Sequence, residues 1–127
     1  MLKEASMKKI IPAKFKKLIE RNPLSLATVG SGNKPNVIGV ACVKVVSGSQ
    51  LLVTDNFMKQ TRRNLVKNSS VCLAVWDKKF KGCKLSGTAR YYNRGIWKEC
   101  VRQLPENKGL PAKGAIIVTV KKLIPLK

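Results

Sequence analysis

The sequence predicts a mainly β, α+β domain in which six strands form an antiparallel or mixed barrel with three short helices packed at its openings. Apolar, β-branched runs recur at close spacing, turn formers separate them, and three short segments carry helical spacing. No internal repeat or low-complexity linker divides the chain. Residues 1–127 therefore read as a single domain, long enough to bury a core without metal or disulfide staples.

Each element has a local reason. In residues 12–21, "PAKFKKLIER", Pro12 suits a first helical turn, and Phe15, Leu18 and Ile19 fall at helical spacing while Lys14, Lys16 and Lys17 face water. Leu24, Leu26 and Thr28 alternate with Ser25, Ala27 and Val29 in the first strand. The turn "GSGNKP" follows, then a long β-branched second strand from Asn36 to Val46, the turn "SGSQ" and a third strand, "LLVTD". Residues 59–68 read as a second helix, with Thr61, Leu65 and Asn68 near one face and Arg62 and Arg63 outward. Strands over 70–77 and 84–92, a third helix over 94–104 and a last strand over 114–126 complete the chain.

Charge is the outlying property. Lysine and arginine number 26 against 6 acids, a formal net charge of +20. Such a field draws nucleic acid, anionic lipid or small phosphorylated ligands, and it also fits a merely solvated basic surface. The chain has no histidine, and its four cysteines include no C-x-x-C pair. Zinc ribbons, histidine-ligated haem and histidine-based triads are thereby disfavoured, and no metal site is expected. Cys42 and Cys72 sit in apolar runs, where a reduced cytoplasmic thiol behaves as a small buried hydrophobe. The N-terminal "MLKEASMKKIIPAKFKK" lacks the apolar segment and cleavage site of a signal peptide. No run of about 18 apolar residues follows, so no membrane partner is expected and the localisation reads as cytoplasmic.

Residues 51–68, "LLVTDNFMKQTRRNLVKN", hold the strongest candidate site. A strand ending in small polar groups runs straight into a basic helix, whose first turn offers N–H groups without intrahelical acceptors. Lys59, Gln60 and Thr61 would surround an anion of phosphate size with an ammonium, an amide and a hydroxyl. Helix capping by Asn56 or Thr61 with solvated lysines is the competing reading. The stretch lacks the glycines and G-K-[ST] of a Walker A loop.

Three soft motifs stand in a defined order: A-T-x-(turn)-x-P-N-V, T-x-N-x-x-x-x-T-x-x-N-L and L-x-G-x-A. In that order and spacing, over residues 12 to about 122, the chain resembles the pyridoxamine 5'-phosphate oxidase-like family of FMN-binding split β-barrels. The resemblance implies a six-stranded, Greek-key split barrel and a homodimer with FMN in each of two interfacial clefts, a deazaflavin being the variant cofactor. It places the flavin ring along Gly39 to Lys44, with main-chain contacts from Val40, Ala41, Cys42 and Val43, and Lys44 at a position where the vitamin oxidases carry lysine. Thr54 and Asp55 would lie near the ribityl chain, and Gln60 and Thr61 would occupy the phosphate positions. Relatives often carry a cation where Gln60 stands, so Lys59 or Lys44 would have to supply the charge. The vitamin oxidases carry a further C-terminal segment, so pyridoxamine phosphate oxidation itself is not expected.

The implied function is a flavoprotein, a small oxidoreductase or electron carrier that meets a small-molecule or protein redox partner, with no catalytic side chain required. Trp76 and Trp97 are candidates to pack on the ring or in the core. Two other classes compete. A nucleic-acid-binding barrel would use Phe80, Tyr91 and Tyr92 beside Lys78, Lys79, Lys81 and Arg90, though adjacent Tyr91 and Tyr92 must point to opposite faces. A cofactor-free dimeric interaction protein would explain Gln60.

Overall fold

The structure, a computed structural model, describes residues 9–126; residues 1–8, the first part of the N-terminal stretch read above, and residue 127 lie outside it. Helix α1 (Ala13–Arg21) starts after an extended Pro12 and buries Ile19, with Phe15 and Leu18 packed against the main core. The Asn22 side-chain amide donates to Leu18 O at 2.9 Å and closes its end. Strand β1 (Leu24–Val29) alternates as its sequence requires, with Leu24, Leu26 and Thr28 almost fully inside.

The expected second strand is two strands. β2 (Pro35–Val40) pairs with β1, whereas β3 (Val43–Ser47) pairs with β4 (Gln50–Asp55). They lie at opposite ends of one seven-stranded sheet of order β2-β1-β5-β6-β7-β4-β3, so Ala41 and Cys42 carry the chain from one edge to the other. The physical reason is a change of phase. Ile38 and Val40 point inward in β2, Val43 and Val45 in β3, and no single strand can bury both even and odd positions on one side. Every recorded pairing is antiparallel, and the sheet curls into a split barrel that is not closed.

Helix α2 (Gln60–Lys67) leads into β5 (Ser70–Trp76), a tight hairpin and β6 (Gly82–Tyr92), which begins two residues earlier than expected. The β6–β7 register shifts between Ser86 and Gly87, where Lys121 is an extra residue in β7. A Cβ on Gly87 would lie 1.9 Å from Thr119 O, so only glycine fits there. Helix α3 (Ile96–Gln103), a 3-10 turn (Pro105–Asn107) and the long β7 (Gly114–Pro125) finish the fold.

Two cores result. One fills the barrel with Leu26, Leu51, Val53, Leu73, Leu85 and Ile116 among others. The second is smaller, where α3 sets Val101 against Leu52, Ala115 and Ile117 on the outer side of β4 and β7. Tyr91 and Tyr92 divide as their adjacency demands, Tyr91 on the first core and Tyr92 on the second. The expectation for the cysteines is corrected: Cys83 is the fully buried one, while Cys42 and Cys72 are only half-buried. Burial pushes the Cys83 thiol up to about 11.

Candidate functional site

The site begins with the turn that joins β4 to α2. Asp55 is fully buried, and its Oδ1 accepts from the Met58 N–H at 2.8 Å while its Oδ2 accepts from the Tyr91 hydroxyl at 2.5 Å. Its main-chain oxygen accepts from the Lys113 N–H at 2.8 Å. Tyr91 is correspondingly held well above the ordinary tyrosine range, by burial first and then by the Asp55 carboxylate. With Met58 anchored in the core, Lys59 becomes the residue before α2, and no side chain caps the helix there. Its first N–H groups are left for another acceptor.

A buried amide holds the first turn of α2 in place. Asn64 Oδ1 accepts from the Gln60 side-chain amide at 2.7 Å, and Asn64 Nδ2 donates to Thr28 Oγ1 at 2.9 Å. Gly30 makes room for this, since a Cβ there would lie 2.6 Å from Asn64 Oδ1. Thr61 is buried, and its Oγ1 accepts from Asn36 Nδ2 at 3.2 Å, which leaves its own proton free to donate.

In front of this helix start lies a cleft of about 520 Å³. One wall is the end of β2 and the crossover, Ile38 to Cys42, and another is Thr54 with Asn56 to Thr61. The third, Glu106, Asn107 and Leu110, comes from the segment between α3 and β7. A reciprocal amide pair brings it in. Asn56 Nδ2 donates to Asn107 Oδ1 at 2.8 Å, Asn107 Nδ2 donates back at 3.2 Å, and the Ala112 N–H adds 2.9 Å to Asn56 Oδ1.

Of the ten residues singled out from sequence, seven line this cleft: Val40, Ala41, Cys42, Thr54, Lys59, Gln60 and Thr61. Val43, Lys44 and Asp55 do not. Val43 points into the barrel core, and both Asp55 side-chain oxygens are engaged in the turn. Lys44 sits at the rim, paired with Glu106. That hydrogen bond raises the lysine above its ordinary range and lowers the glutamate below its own. Sequence reasoning missed Asn64 and the whole third wall, and it read Asn56 only as a candidate cap, whereas its amide pairs with Asn107; the T-x-x-N-L spacing was the available signal for Asn64.

Neither tryptophan lines the cleft: Trp97 packs on the second core, one of the two places read for it, whereas Trp76 stands 43% exposed at the end of β5. Tyr91 and Tyr92 are half-buried under Arg62 and Arg90, whose guanidinium carbons lie 4.7 and 5.7 Å from the ring centres. Arg62 is therefore not simply outward, and the two rings offer no open stacking platform.

Two polar features of the cleft lack internal partners. Thr54 is 7% exposed, and its hydroxyl has no hydrogen-bond partner among the described residues. Lys59 is an exposed cation, and among the described residues no carboxylate pairs with it. Together with the uncapped helix start they form a polar end, while Ile38, Val40, Met58 and Leu110 supply an apolar one. Such an arrangement suits a ligand with an anionic tail and a flat apolar body.

Comparison with known proteins agrees with this geometry. A family profile described as pyridoxamine 5'-phosphate oxidase matches residues 11–127. The chain belongs to this family. It is 28% identical over 115 residues to an uncharacterized protein of Methanocaldococcus jannaschii, covering 87% of this chain and 77% of that protein. The crystal structure of HupZ from Group A Streptococcus superposes with a TM-score of 0.84 at 24% identity, covering 92% of this chain and 94% of HupZ. An FMN-binding protein from Syntrophomonas wolfei superposes with a TM-score of 0.72 at 15% identity, covering 99% and 89%. At these identities the two superpositions speak for the pyridoxamine 5'-phosphate oxidase-like fold alone.

Proposed function

We propose that the cleft binds a flavin phosphate, FMN first among the flavins, and that the protein is a small flavin-dependent oxidoreductase or electron carrier. The observation that carries this reading is the buried, unpartnered Thr54 hydroxyl beside an uncapped helix start. A buried hydroxyl without a partner is disfavoured by roughly 1–3 kcal/mol, so a site that keeps one is suited to a ligand that completes it. The fold shared with an FMN-binding protein supports the same reading.

The residues present fit such a group. Lys59, the first N–H groups of α2 and the Thr61 hydroxyl are the set for the phosphate, and Thr54 is the donor for the polar chain between phosphate and ring. Gln60 is neutral and tied to Asn64, which leaves Lys59 as the cation for this task. Main-chain groups of Val40, Ala41 and Cys42 border the apolar part, where they orient a ring and exclude water. When bound, a flavin supplies the redox chemistry, and the chain positions it and sets its surroundings. A second copy of the chain is the proposed cover for the open side of the cleft, and a cytoplasmic redox partner the proposed client.

Purified protein, mixed with FMN and then desalted, should keep the visible absorption bands of the oxidised flavin. Lys59→Ala should weaken FMN binding by about tenfold or more, from the loss of one charge-assisted contact, with unchanged thermal stability. Retention of a deazaflavin but not FMN would exchange the cofactor within the same site. Colourless protein that retains neither would overturn the reading in favour of a cofactor-free dimer.

A further inference from the structure

Gln60 stands at a junction. Besides the cleft, it borders two smaller hollows of about 370 and 320 Å³ between α2 and the turn that joins β1 to β2. Ser31 and Lys34 line the first, and Ser31, Arg63 and Lys67 line the second. The turn is held in place, since the Gly30 N–H donates to Lys34 O at 2.8 Å and Lys67 Nζ donates to Ser31 Oγ at 3.1 Å. Gly32 at φ +68° and Asn33 at φ +58° supply the left-handed backbone that reverses the chain.

The cations around these hollows have no acid to serve. Residues 22–54 and 56–76 contain none, and among the described residues no carboxylate pairs with Lys34, Arg63 or Lys67. Their placement is what points to a ligand. A phosphate that ends a molecule carries about 1.5 to 2 negative charges at neutral pH, whereas a phosphate esterified onward carries a single one. At the helix start the side chain is the neutral Gln60, with its amide given to Asn64, and Lys59 is the one cation among the residues lining the cleft. A single negative charge is matched there, and the remaining cations lie past Gln60.

We propose that, with a flavin phosphate in the cleft as inferred above, the hollows past Gln60 form a second anionic subsite, for a flavin whose phosphate is esterified onward to a further anionic group. Lys34, Arg63 and Lys67 are its cations and Ser31 its hydroxyl. FMN fills the cleft alone, and an extended flavin fills the cleft and the subsite. Two ligands share the required chemistry: FAD, through its pyrophosphate, and a deazaflavin phosphodiester that carries a tail of carboxylates. A basic surface without a built subsite would respond to total charge, wherever the lysines stand. Position is therefore the property to test.

Isothermal titration calorimetry can compare each extended ligand with the same ring ending at one phosphate: FAD with FMN, and a glutamyl-tailed deazaflavin with its monophosphate. In one of the two pairs the extended ligand should bind about tenfold more tightly, the worth of one added charge-assisted hydrogen bond, and the ratio should shrink as salt is raised. The pair that shows it names the source of the second anion. Joint replacement of Lys34→Ala and Lys67→Ala should abolish the preference and leave the affinity for the monophosphate unchanged. Lys14→Ala with Lys17→Ala takes the same charge from exposed positions on α1 and should leave the preference intact. Equal effects of the two double replacements would overturn the proposal by assigning the preference to the overall field. No preference in either pair would overturn it and leave the flavin cleft standing. If none of the four ligands binds, the cleft reading and the subsite fall together.

Discussion

Thr54 and Asp55 are neighbours at the end of β4, and their polar atoms have opposite fates. Both Asp55 oxygens accept hydrogen bonds from within the protein, from Met58 and Tyr91, whereas the buried Thr54 hydroxyl has no partner among the described residues. The first arrangement builds the turn, and the second belongs to a residue that lines the cleft beside it. Saturated polar groups hold structure, and an unsaturated one marks where a ligand belongs. Substitutions at the two positions should therefore separate stability from binding.

The largest effect should come from the saturated side. Asp55→Ala removes the acceptor of the Met58 N–H and of the Tyr91 hydroxyl, and each stranded donor costs about 1–3 kcal/mol. A loss of about 3–4 kcal/mol in urea denaturation is expected, a large part of the stability of an ordinary domain. Tyr91→Phe should cost less, because Asp55 keeps its bond to Met58. Equal losses would show that the Tyr91 contact, not the turn, is what Asp55 secures.

Gly30→Ala sharpens the comparison from the other end of α2. Its methyl would meet Asn64 Oδ1 at 2.6 Å and force that amide off Gln60 or off Thr28, which is itself buried. A loss of about 1–3 kcal/mol is expected, in the range of overpacked or unsatisfied buried sites. Flavin retention should fall with it, because the same shift disturbs the helix start. Lost stability with intact retention would detach Asn64 from the cleft.

Which parts of this were legible beforehand follows sequence distance. Lys59, Gln60 and Thr61 share one turn, so a polar strand end running into a basic helix was enough to place them together. The structural role of Asp55 was not legible, because its partner, Tyr91, lies 36 residues away. The third wall depends on Asn56 meeting Asn107 across 51 residues, and an asparagine in a loop carries no mark of its partner. The split of the second strand was written in the switch of inward positions from Ile38 and Val40 to Val43 and Val45. A continuous β-branched run hid it.

The smallest effect is also the most discriminating, because it should have two signs. Thr54→Val keeps the shape of the side chain and removes a buried hydroxyl that has no partner among the described residues. Stability should be unchanged or raised by about 1 kcal/mol, since the desolvation penalty of the hydroxyl disappears. Flavin affinity should fall about fivefold, the worth of one neutral hydrogen bond. Thermal melts and flavin titrations on the same preparation would read both. A threonine that served only the fold would lose stability without losing affinity, so a valine variant that is less stable and binds as tightly would remove Thr54 from the site.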